Sequence, residues 1–116
     1  MESILISIKK MLGIEEDYNH FDYDIIMHIN TALGVLNQIG VGPEECYSIS
    51  SDENTWNDFL GEQIKNLNMV KTYVYLKVRL IFDPPTSSFI VDAFNKQITE
   101  LESRMNTQVE LMKKEG

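Results

Sequence analysis

Four side chains able to bind a metal stand close together in HFDYDIIMH: His20, Asp22, Asp24 and His28. Asp24 and His28 are four residues apart, a spacing that puts two side chains on one helix face. No cysteine pair and no HExxH pattern reinforces them, so a solvated polar face is the simpler reading. Cys46 is the only cysteine. As a nucleophile it would need a histidine and an orienting group beside it, which the sequence neither supplies nor excludes; a partly buried, inert thiol is the expectation. GVGP at 40–43 matches neither the Walker nor the dinucleotide pattern and reads as a helix stop. No catalytic residue, metal ligand or cofactor is assigned, and the chain is expected not to be an enzyme.

Charge carries more information. The 116 residues have a net charge of −8, which argues against tight binding to phosphate backbones. Eleven acids and no lysine or arginine lie between Met11 and Ile64. From Gln63 to Phe82 the pattern inverts, with Lys65, Lys71, Lys77 and Arg79 and no acid. A protomer with opposite charges on different sides can join its copies head to tail, and such contacts close into rings when the rotation allows. The competing reading is that these cations neutralise acids within their own subunit.

The elements that position these charges follow from apolar spacing. The sequence predicts an all-α fold, a small bundle of about four helices over 2–12, 22–39, 55–82 and 87–113, in one domain spanning 1–116. Asn19 or Asp22 is placed to cap the second helix, and Gly40 and Pro43 end it. A short extended piece is expected near 46–49, with Tyr47 and Ile49 on one face. Thr55 and Asp58 form a capping-box pattern, with Trp56 and Phe59 as core anchors and a kink near Gly61. The third helix carries two apolar stripes, one ending at Ile81, so it sits centrally or meets another subunit. Phe94, Ile98, Leu101, Met105 and Met112 mark the buried face of the fourth, which is long enough for part of it to project. Between these last two helices, Asp83, Pro84 and Pro85 form a structural corner: proline disfavours a helical residue before it and has no amide hydrogen to donate. No apolar run is long enough to span a bilayer, so no membrane role is expected. The single cysteine suits a reducing cytoplasm.

The stretches HINTALGVLNQIGVGP (28–43), TWNDFL (55–60), VKTYVYLKVRLIFDPPTSSF (70–89) and ITELESRMN (98–106) resemble the small head–tail connector, or adaptor, proteins of long-tailed bacteriophages of Gram-positive hosts. The resemblance implies a virion structural protein at the head–tail junction, present in the host cytoplasm during assembly. It implies a ring, commonly dodecameric, beneath the portal protein. That ring would extend the channel through which DNA passes without specific binding, and would dock the next connector or a tail protein. A small helical adaptor or regulator in the cytoplasm is the alternative. On the connector reading, Lys65, Lys71, Lys77 and Arg79 are candidate subunit contacts. Their expected partners are Glu15, Glu16, Asp17, Glu44, Glu45, Asp52 and Glu53 of the neighbouring copy.

Overall fold

A computed structural model describes residues 2–115 of the chain, with side chains through Lys113. It is all-helical: α1 (Ile4–Met11), α2 (Asp22–Ile39), α3 (Trp56–Leu60), a 3₁₀ segment (Gly61–Asn66), α4 (Leu67–Phe82) and α5 (Ser88–Glu115). The expected third helix is therefore α3, the 3₁₀ segment and α4 in series. Gly61 makes the break, with φ 51° and ψ −117°, a backbone region that essentially only glycine occupies. The body measures 44 × 35 × 19 Å, about two helices thick.

Phe21 at the start of α2 packs its ring 5.3 Å from Phe82 at the end of α4, so these helices run antiparallel. The corner at 83–87 then sends α5 back along α4. Near the far end of α5, Val109 packs against Gly40, which closes α2 in a left-handed turn. α4 is the central element and touches α1, α2 and α5. Its Val70, Tyr73, Val74 and Val78 are fully buried, as are Ile25, Ile29, Leu33 and Leu36 of α2. At roughly 25 cal/mol per Å² of apolar surface, each such side chain contributes about 1.5–3 kcal/mol.

Long-range side-chain contacts hold the short pieces in place. Thr55 and Asp58 complete the capping box: the Thr55 hydroxyl accepts from the Asp58 amide and the Asp58 carboxylate accepts from the Thr55 amide, both at 3.1 Å. Such a cap is worth about 1 kcal/mol. The box aims Trp56 into the core, where its Nε1 donates to Ser7 Oγ at 2.7 Å. A single bridge between Ser3 and Thr55 seats the start of α1 beside it. Gln63 of the 3₁₀ segment accepts from the Gly42 amide at 2.7 Å, fastening the turn after α2.

Several expectations are corrected. No strand forms at 46–49, because the Asn30 side chain takes both polar groups of Ile49: Nδ2 donates to its carbonyl at 3.0 Å, and Oδ1 accepts from its amide at 2.7 Å. Tyr47 and Ile49 still turn toward the core, with the Tyr47 ring 5.4 Å from that of Phe59. Neither Asn19 nor Asp22 caps α2; Phe21 occupies the cap position without a side-chain bond. Cys46 is exposed rather than partly buried, while its neighbour Tyr47 is the residue that turns toward Phe59. On α5 the buried face continues through Val109 and leaves Met112 exposed, and on α4 the last-turn Ile81 lies outside the core.

Candidate functional site

The functional candidates are surfaces, and each is best built from its residues. Lys71 is engaged within the subunit, its Nζ 2.8 Å from the Glu2 carboxylate. Among the described residues, Arg79 meets no carboxylate within 4 Å. Its Nη1 donates to the Tyr75 hydroxyl at 2.8 Å, its Nε to the Asp83 carbonyl at 3.3 Å, and its guanidinium lies 5.6 Å from the centre of the Phe94 ring. Half-buried Arg79 thus links the last turn of α4 to the start of the Asp83–Pro84–Pro85 corner. Among the described residues, Lys65 and Lys77 have no acidic partner within 4 Å; Lys65 is exposed and Lys77 half-buried.

The seven candidate acids are all exposed. They do not form one surface. Glu15, Glu16 and Asp17 lie where α1 hands over to α2, and the Glu16 carbonyl accepts from Lys9 Nζ at 3.0 Å. Glu44 and Glu45 lie beyond the other end of α2, where Asn37 Nδ2 donates to the Pro43 carbonyl at 2.8 Å. Asp52 and Glu53 belong to the turn that leads back to the start of α1, where the Ile4 amide donates to the Asn54 carbonyl at 3.0 Å.

The four metal-ligand candidates go separate ways. Asp22 lies 2.9 Å from Lys9 Nζ. His20 meets the edge of Phe21 with ring centres 4.8 Å apart. Asp24 is exposed and His28 half-buried. Among the described residues, no three His, Cys, Asp or Glu side chains gather as a metal site.

Two polar arrangements escaped sequence reasoning. Lys9 is 1% exposed and held between the Glu16 carbonyl and Asp22. Asp22 Oδ1 is close to the ammonium yet too poorly aligned for a directed hydrogen bond, so the contact is chiefly coulombic. The signal was present: Leu5, Ile8, Lys9 and Leu12 share one helical face, so Lys9 stands on the apolar stripe. The second is Tyr73, whose hydroxyl donates to Glu102 Oε2 at 2.6 Å and ties α4 to α5. Burial, and then the carboxylate it bonds, raise the Tyr73 pKa well beyond the ordinary phenol value. Burial also raises the Tyr47 pKa.

Exposed apolar side chains are distributed unevenly. Met11, Tyr18, Phe21, Tyr23, Met27, Ile81, Phe89 and Ile90 all come from segments that meet at the corner end. Leu111 and Met112 are exposed at the other end of α5. The geometry is that of a compact helical body with exposed apolar side chains toward both ends of α5 and, among the described residues, cations without an acidic partner on α4 and the 3₁₀ segment. Among the described residues, no helix is long and apolar enough to cross a membrane. No curated protein and no solved structure matches the chain. A family model described as phage connector protein matches residues 4–111, from the first residue of α1 to Leu111 in the last part of α5. The chain belongs to the phage connector protein family.

Proposed function

We propose that the protein is a head–tail connector that works by assembly, without catalysis. Copies join in a ring under the portal, continue the DNA channel and present a surface to the next connector or tail component. Twelve copies remain the expectation from the family resemblance. The observation that carries this reading is the family match across every helix of the fold.

For ring closure, the support is more specific than net charge. Of the four candidate cations, Lys71 and Arg79 are engaged within the subunit, which leaves Lys65 and Lys77 available to a neighbour. The acids at 15–17, 44–45 and 52–53 stay exposed and so remain open to them. Exposed ion pairs contribute only about 0.2–1 kcal/mol each, so they would set orientation while apolar contacts supply most of the affinity.

The test is the double variant Lys65→Glu, Lys77→Glu, mixed with portal-containing particles and imaged by negative stain. Rings should be lost while far-UV circular dichroism matches the native protein. Rings that form normally would refute the role of these lysines. A chain that never joins particles, native or variant, would refute the connector reading itself.

A further inference from the structure

We infer that Lys9 is the positioning residue for the acidic segment at 15–17, holding it in the one geometry that lysines of a neighbouring copy meet. This rests on the connector reading and deepens it, since Lys9 is itself buried beyond a neighbour's reach.

The first observation is how many ties this one residue makes. The Lys9 carbonyl accepts from the Ile14 amide at 2.9 Å, turning the chain back on the end of α1. Its Nζ donates to the Glu16 carbonyl at 3.0 Å and lies 2.9 Å from Asp22 Oδ1. Lys9 therefore grips the connection between α1 and α2 at its start, middle and end. Among the described residues, no other hydrogen bond joins 15–20 to a distant part of the chain. Packing does little in its place. Ile6, Lys10, Gly13, Ile14, Glu15 and Glu16 line an open hollow of about 380 Å³, and the side chains of 15–18 are exposed.

The second observation is the chemistry at this position. Leu5, Ile8 and Leu12 share its helical face, so an apolar side chain would suit position 9. A lysine there must shed its water, and a buried ion pair adds little or no net stability over an apolar replacement. What the ammonium adds is direction, because it fixes a carbonyl and a carboxylate six residues apart around one point. The other exposed acids are placed by neutral side chains: Asn37 bonds the Pro43 carbonyl before Glu44 and Glu45, and Asn54 bonds the amides of Ser50 and Ser51 before Asp52 and Glu53. Acids that wander must be ordered on binding, at the expense of affinity, and a segment fixed beforehand avoids that loss.

The test compares the full-length native chain with Lys9→Met, an apolar side chain of similar length. Water reaches the partners left behind, since Asp22 is 27% exposed and Glu16 is exposed, so the variant should melt close to the native temperature. Both proteins are digested with a protease that cuts after glutamate, and the cuts are located by mass spectrometry. Cleavage after Glu15 and Glu16 should rise about tenfold or more, as the opened segment becomes more populated, while cleavage after Glu44, Glu45 and Glu53 keeps its native rate. Faster cleavage at every site would mean general loosening and would overturn the proposal, as would an unchanged rate at Glu15 and Glu16. On portal-containing particles, Lys9→Met should need about tenfold more protein to form rings; normal rings would also overturn it. If Lys9→Met does not fold, the double variant Lys9→Met, Asp22→Asn removes both charges and is read in the same way; failure of both to fold would show that Lys9 serves the core instead. The triple variant Glu15→Gln, Glu16→Gln, Asp17→Asn changes only exposed side chains and should impair rings as Lys9→Met does. Normal rings from it would leave Lys9 no contact to position, and the proposal would fall. Absence of rings from the native chain would count against the connector reading, whatever the digestion shows.

Discussion

Tyr73 shows what one buried hydroxyl does for this fold. Its phenol is fully buried and donates to Glu102, and both burial and the carboxylate favour the neutral form. The folded protein therefore keeps this proton to a higher pH than the unfolded chain, whose tyrosines ionise near pH ~10. Stability from this group is intact below that value and is lost as pH rises from there toward the folded pKa. Tyr73→Phe should lower stability at pH ~8 by about 1 kcal/mol, through the lost hydrogen bond. It should also flatten the decline above pH ~10, with Tyr47 still titrating in both proteins. Urea midpoints across that range would check both; equal slopes would show that Tyr73 is not the responsible group. Neither Tyr73–Glu102 nor Trp56–Ser7 was legible in the sequence, because their members lie 29 and 49 residues apart and no local pattern links them. Lys9 was legible in principle, since periodicity alone puts it on the buried stripe.

At the scale of elements the sequence was far more transparent. The end of α2 at Gly40, the break at Gly61, the Thr55–Asp58 box and the double-proline corner before α5 all follow from local rules, and local rules are what a sequence displays directly. The stretch at 46–49 turns Tyr47 and Ile49 to the core as expected but pairs with no strand, because a helix side chain, Asn30, takes the place of a neighbouring strand, which alternation of apolar residues cannot reveal. Ile81 and Met112 were misread because a stripe predicts which face is apolar, not how far the neighbouring elements cover it. The turn after α2 invites a direct test. Gly42 has φ +89°, and a Cβ there would run into the Phe59 ring. Gly13 has φ +80° with nothing within 4 Å. Gly13→Ala should therefore cost about 1 kcal/mol from the left-handed backbone alone, and Gly42→Ala about 2–4 kcal/mol because strain and collision add. Equal losses would mean that Phe59 moves aside freely.

The molecule as a whole is one core. Residues from α1, α2, α3, α4 and α5 contribute to it, including Ile98, Leu101, Met105 and Val109 of the last helix. Trp56 is the single tryptophan, is 1% exposed and sits between α1 and the rest, so its fluorescence reports the shared core. Thermal unfolding followed by Trp56 emission and by far-UV circular dichroism should give coincident transitions. A separate late loss of helix signal would instead reveal α5 as an independent rod. The charge segregation visible in the sequence survives folding only in part: α4 uses Lys71 internally and turns Arg79 inward, while the acids divide between opposite poles. Charge order along a chain does not specify which neighbours a bundle supplies, and that is why the surfaces could not be read beforehand. α5 bears Phe89 and Ile90 in its first turn and Leu111 and Met112 near its last, a separation of roughly 33 Å at 1.5 Å per residue. A push or pull received by one tip therefore reaches the other along continuous helix, with no loop between them to absorb it, so each copy would behave as a stiff strut.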